Sequence, residues 1–198
     1  MVAIDIEASG VNYEKNSIVS LGAIDMSDPG RRFYGECRIW DGAHVSPENL
    51  EFLKMKVPDY SDPKKQSEGE LVEKFMRWIE DVEDRTLLGQ NVSFDRDFLK
   101  AACERIHHDW PLAYRTIDTH TLCYMHLVKR GLPPPFDAEK HRTALDLDAV
   151  LVYCGIPEEP KPHNALTGAL CHAEVIARVA YNQSVLPDFS TFPIPWTT

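Results

Sequence analysis

The chain has 198 residues, 43% of them apolar, and its 31 acidic residues against 21 basic ones leave a formal net charge of −10. That length and apolar fraction fit one soluble globular domain, at most with a small appendage, and argue against a disordered polymer. No apolar run approaches the ~20 residues that span a bilayer, and the acid excess repels polyanions, so sliding along long duplex DNA is not expected and a nucleic-acid partner would need metal ions or a local basic patch.

The opening MVAIDIEASG lacks a basic segment followed by a long apolar one, so a cytoplasmic location is expected. Within it, Val2 to Glu7 alternates β-branched and acidic residues and closes at Ser9-Gly10, which predicts a strand. Alternation places Asp5 and Glu7 on one face and Ile4 and Ile6 on the other. Ile18 to Met26 is a nearly continuous apolar run, Asp28-Pro29-Gly30 is expected to turn, and Arg32 to Trp40 completes an antiparallel meander.

The period then changes. Ser46-Pro47 predicts a helix start, and Leu71, Phe75, Trp78, Ile79 and Val82 fall at helical spacing over 68–82. A short strand is expected at 86–89, a helix over 94–106, a strand end at 116–118 and helices over 119–128, 145–154 and 165–180. Strands first, then strands alternating with helices, indicate an α/β fold with a mixed central sheet flanked by helices. The Pro-rich stretch 129–143, which carries Lys129, Arg130, Lys140, His141 and Arg142, and the Pro/aromatic tail 182–198 read as irregular. The five cysteines are odd in number, scattered and without a C-x-x-C pair, so they are expected to be reduced, buried thiols.

Three segments carry candidate chemistry. Asp5 and Glu7 share a strand face beside a Ser-Gly bend and can reach one divalent cation, although the apolar neighbours suggest a central strand where charge is costly unless coordinated. In Gly89 to Leu99 a strand runs through a polar bend into a helix, with Asn91 and Asp95 toward the sheet edge and Phe94 and Phe98 as anchors. Asn164 is a good helix N-cap, which leaves His163 just outside a helix mouth, where it could exchange protons.

In this order the segments resemble the histidine subtype of the DEDD 3′-to-5′ exonucleases, the family of ribonuclease T, oligoribonuclease and the proofreading subunit of bacterial DNA polymerase III. Asp5-Ile6-Glu7 matches the first motif, D-x-E; Asn91, Phe94, Asp95, Phe98 and Leu99 match the second, N-x-x-F-D-x-x-F-L; Asp118-Thr119 matches an intervening D-T pair and His163 the general base. The resemblance spans residues 1 to about 180, so 1–181 is expected to be an exonuclease-like domain of ribonuclease H-like fold and 182–198 a tail. It implies hydrolysis of single-stranded DNA or RNA from a free 3′ end to nucleoside 5′-monophosphates, with two divalent ions, Mg²⁺ or Mn²⁺. Asp5 would bridge both ions, Glu7 would hold one, Asp95 would act through water, His163 would take a proton, and Asn91 and Phe94 would shape the pocket. One departure stands out: the aspartate that follows the histidine by five residues in the family is Gly168 here. His172, one turn further on, and Glu174 are candidate substitutes, and loss of the fourth carboxylate raises the alternative of a weakened enzyme or a non-catalytic nucleic-acid or protein-binding module. Lys129, Arg130 and Arg142 are expected to meet the substrate backbone, with stacking by Trp110 and Tyr114 a weaker candidate. The partner is expected to be a short single strand, with no membrane and with room for a homodimer.

Overall fold

The computed structural model describes residues 1–54 and 56–197. Strands β1 (Val2–Ala8), β2 (Ile18–Asp25) and β3 (Asp28–Glu36) form the meander, and β4 (Leu87–Gly89) and β5 (Thr116–Asp118) join it in the order β3-β2-β1-β4-β5. β1 pairs antiparallel with β2 and parallel with β4, and β4 pairs parallel with β5. The sheet is therefore mixed, and β1 lies where the antiparallel half meets the parallel half.

Helices cover both faces. α3 (Glu68–Ile79) and α4 (Ser93–Arg105) pack Leu71, Phe75, Phe98 and Leu99 against Val2, Ile4 and Ile6. On the other face α7 (Ala165–Tyr181) sets Ala169, Ala173 and Ile176 on Ala3, Ile24 and Leu88. This explains why β2 is buried along its whole length and reads as an unbroken apolar run. α5 (Thr119–Lys129) and α6 (Leu147–Tyr153) complete a satellite core with α7. Two short helices, α1 (Pro47–Leu53) and α2 (Val57–Tyr60), precede α3.

Gly22, opposite Asp5 in the β1–β2 register, determines how closely α7 approaches. A Cβ at Gly22 would stand 2.2 Å from the Ala165 carbonyl oxygen. Backbone cannot move aside for a methyl group as a flexible side chain can, so glycine lets the start of α7 rest on the sheet beside Asp5.

Three details differ from the sequence expectation. The hairpin turns at Met26-Ser27 rather than at Asp28-Pro29-Gly30, because Asp25 Oδ1 accepts from Ser27 N at 2.9 Å and Ser27 Oγ at 2.6 Å. β3 therefore begins at Asp28, where a proline is tolerated because β3 is an edge strand. The 129–143 stretch contains a small hairpin, β6 (Phe136–Asp137) with β7 (Arg142–Thr143), turned by Asp137 Oδ1 accepting from Glu139 N and Lys140 N, both at 3.0 Å. The tail is irregular apart from a single 3-10 turn at Pro187–Phe189, yet it is firmly docked. Fully buried Arg178 donates to the carbonyls of Cys154, Phe189, Phe192 and Pro193 and pairs with buried Glu174 at 2.7 Å. Trp196 stacks on Tyr153 with ring centroids 5.2 Å apart and donates to Asn182 Oδ1 at 2.7 Å. All five cysteines are free and buried, as expected.

Candidate active site

β1 carries Asp5 and Glu7 on the face turned toward α7, and both are only partly buried in a strand whose other residues are buried. Asp95 arrives from the first turn of α4. Its Oδ1 accepts the Ile6 backbone N–H at 2.8 Å, which ties the second motif to the strand between the two acids of the first. The approach to α4 depends on Asn91, which holds a left-handed φ of 50° and accepts Phe94 N at 2.9 Å. Asparagine tolerates that conformation better than most residues, which gives a physical reason for its place in the motif. Asn164 caps α7 as expected, its Oδ1 accepting from Leu166 N at 3.0 Å and Thr167 N at 3.4 Å.

These pieces meet around a cavity of about 270 Å³ whose walls include Asp5, Glu7, Asn91, Phe94, Asp95 and His163. The residues predicted for catalysis, metal binding and pocket shape are thus brought together. Two more groups line the same cavity. Glu159, which no sequence pattern singled out, is 5% exposed and places Oε2 2.9 Å from His163 Nδ1. It lies four residues before the histidine in a non-helical segment, so no periodicity links the two. His172 is buried, bonds Ile4 O through Nδ1 at 2.8 Å, and has no partner for Nε2. Burial pushes its pKa down to about 4, the Ile4 bond opposing, so the ring is neutral. Because a carbonyl only accepts, Nδ1 carries the proton and Nε2 is an acceptor.

Electrostatically the site is a concentration of acid. Burial, then the charges of Asp95, Glu7 and Glu159, hold Asp5 well above the usual carboxylate range. Asp95 is raised by burial, against the opposing pull of its Ile6 hydrogen bond. Burial and Glu159 lift Glu7 to about 7, with His163 pulling the other way.

Gly168 faces this acid directly. A Cβ there would stand 2.4 Å from Asp5 Oδ2 and 2.6 Å from its Cγ. The Asp5 carboxyl therefore packs against bare helix, and any side chain at position 168 requires it to turn. Neither proposed substitute occupies that place: Glu174 is bound to Arg178 and the backbone of Val185 and Leu186, and His172 hangs from Ile4. No three His, Cys, Asp or Glu side chains among the described residues close on a point that holds a metal ion as they stand.

The residues proposed to meet substrate divide. Arg142 and Lys140 line a larger cavity of about 570 Å³ that shares Gln90 and Asn91 with the first. Lys129 ends α5 and Arg130 lies over the Trp196 ring at 5.5 Å, donating to Tyr153 Oη at 3.2 Å, and neither lines these two cavities. Trp110 packs against the core, whereas Tyr114 is exposed with Lys100 Nζ 5.9 Å from its ring.

Similarities to solved structures agree with this layout. E. coli Exonuclease I in complex with a dA16 oligonucleotide is 16% identical with a TM-score of 0.70 over 92% of this chain and 40% of that one. Cell-death related nuclease 4 is 14% identical, with a TM-score of 0.68 over 92% of this chain and 64% of that one. The nuclease domain of 3′hExo, a DEDDh family member, bound to rAMP, is 15% identical, with a TM-score of 0.67 over 92% of both chains. The chain spans about 40% of the length of the Exonuclease I chains. These likenesses establish the ribonuclease H-like fold. No curated protein matches the sequence. The model of the RNase_T exonuclease family matches residues 2–176, from the first strand into α7, and the chain belongs to that family.

Proposed function

We propose that the protein is a metal-dependent 3′-to-5′ exonuclease that hydrolyses single-stranded DNA or RNA from a free 3′ end and releases nucleoside 5′-monophosphates. The observation that carries this reading is the single cavity into which Asp5, Glu7, Asp95 and His163 converge from three separate segments of the chain. Stability alone gives no reason to gather acids whose charges oppose one another, whereas a phosphodiester cleaved by water needs such a place for cations.

The donor set suits hard divalent ions. Carboxylate oxygens are the ligands Mg²⁺ and Mn²⁺ prefer, and the acids of this cavity are partly or fully buried without a lysine or arginine on its walls. Asp5, Glu7 and Asp95 would hold the ions, with Asp5 turning from its rest against Gly168. Bound ions would supply neutralising charge at the phosphate and lower the pKa of the attacking water. His163 accepts the proton of that water at the ring nitrogen not engaged by Glu159. Asn91 and Phe94 confine the terminal nucleotide, and Arg142 and Lys140 attract the following phosphates in the adjoining cavity. The short basic lip fits the overall charge of −10: the protein holds a few nucleotides at an end.

Incubation with 5′-labelled oligonucleotides of DNA and RNA, with Mn²⁺ or Mg²⁺, tests the reading. A ladder shortening from the 3′ end is expected, and intact substrate with both ions and both polymers would refute it. Gly168 supports a second reading, a nucleic-acid-binding module with weakened or absent catalysis. That reading expects oligonucleotide binding without hydrolysis, unchanged by Asp5→Ala.

A further inference from the structure

Glu159 is the one acid of the cavity that the family motifs do not account for. It adds a fourth carboxylate to a site whose other three already oppose one another. Its side chain is nearly inaccessible, so solvent screens little of that charge. What compensates it is specific: Oε2 lies 2.9 Å from Nδ1 of His163, a ring 17% exposed at the side chain. The next residue is also fixed. Asn164 caps α7 with its carbonyl oxygen and donates from Nδ2 to Tyr34 Oη at 2.9 Å, so the histidine directly precedes an anchored neighbour.

Where the carboxylate is the acceptor of this contact, the nitrogen facing it is the donor. We propose that Glu159 is a positioning residue for hydrolysis: it fixes His163 in the tautomer that carries its proton on Nδ1 and leaves Nε2 as the basic nitrogen. This rests on the exonuclease reading and deepens it. The arrangement is the physical equivalent of the carboxylate that orients the histidine of serine-hydrolase triads, reached here by a fold and a reaction with no nucleophilic side chain.

The tautomer can be measured without turnover. In metal-free, ¹⁵N-labelled protein, at a pH where His163 is neutral, nitrogen chemical shifts are expected to show Nδ1 protonated, and Glu159→Gln is expected to populate the other tautomer. With oligonucleotide and Mn²⁺, kcat should fall about 100-fold, less than the roughly 10⁴-fold of the corresponding change in a triad. KM, and Mn²⁺ affinity measured by calorimetry, should stay within about two-fold, because Glu159 holds the base and neither an ion nor the substrate. A wild-type His163 protonated on Nε2 overturns the inference, as does unchanged kcat. Mn²⁺ affinity weakened as much as by Asp5→Asn, with the tautomer kept, also overturns it and makes Glu159 a cation ligand. If Glu159→Gln does not fold, the wild-type tautomer alone decides. A wild type that hydrolyses nothing refutes the exonuclease reading and this role with it; hydrolysis with the wrong tautomer refutes the inference alone.

Discussion

Two of the settings that hold buried acid share helix α7, and they are built on opposite principles. At the far end of the helix Glu174 is saturated: Arg178 Nε at 2.7 Å, Val185 N at 3.1 Å and Leu186 N at 3.2 Å take its oxygens. Arg178 in turn directs its remaining donors to four carbonyls of the α6 end and the tail. At the near end Asp5, Glu7, Asp95 and Glu159 face one cavity with histidines as the only basic side chains on its walls among the described residues. The first cluster is complete and holds chain to chain. The second is left short of positive charge, which is where the proposed cations would enter. The contrast separates structural from functional acid by whether a partner is supplied, not by depth.

The sharpest way to break this contrast is to remove the partner at the saturated end. Arg178→Met leaves Glu174 buried without its cation and frees the tail carbonyls, and about 3–5 kcal/mol of stability should be lost in urea denaturation. The double substitution with Glu174→Met should recover part of that loss, because no unpaired charge remains.

At the other end the same kind of change should do the reverse. Asp5→Asn removes one of several opposing charges, so the metal-free protein should melt higher, by about 2–4 °C for each kcal/mol of repulsion relieved. Hydrolysis of a labelled oligonucleotide should meanwhile fall by more than about 100-fold if Asp5 is the direct ligand proposed above, since even indirect ones cost 10–100-fold. A lower melting temperature would show that Asp5 is structural in the manner of Glu174.

Acidity sharpens the contrast further. The folded pKa of Glu7, about 7, lies above its ordinary 4.5, and Asp5 and Asp95 are shifted the same way. The folded, metal-free protein therefore retains protons that the unfolded chain has lost. For Glu7 this contribution to stability is complete below about pH 4 and is lost as pH rises through 7, and Asp5 and Asp95 act in the same direction. Thermal melts from pH 4 to 8 should show this decline without metal. Added Mn²⁺ should offset it increasingly toward pH 8, as protons cease to compete, by about 2.7 kcal/mol at a hundred times its dissociation constant. The smallest effect is expected at the tail: Trp196→Ala should cost about 1–2 kcal/mol, since the ring is only half buried, and leave kcat within about two-fold.

Much of this was legible in the sequence because it rests on local rules. Strand alternation placed Asp5 and Glu7 on one face, the Asn91-to-Leu99 spacing placed Asp95 at a helix start, and Asn164 announced the helix that follows His163. What stayed hidden depends on contacts across the chain. Glu159 meets His163 through an irregular segment with two prolines, where no period applies. Arg178 owes its burial to the tail that folds over it, a contact no local pattern marks. Gly168 reads as a defect until Asp5 is seen to rest on it. The misplaced first hairpin turn had a local cause of its own: Asp25 outcompeted the Pro-Gly pair by capping Ser27.

The docked tail has a mechanical consequence. α7 runs 17 residues, about 25 Å of stiff rod, from Ala165 beside His163 to Tyr181. Near one end it is seated on Gly22, and toward the other Arg178 fastens it to residues 189–193. A rod fixed at two points cannot tilt, so residues 189–193 set the attitude of a helix whose opposite tip lies beside His163. Clipping those residues would be felt a helix length away, as a loss of alignment rather than of any group that touches substrate.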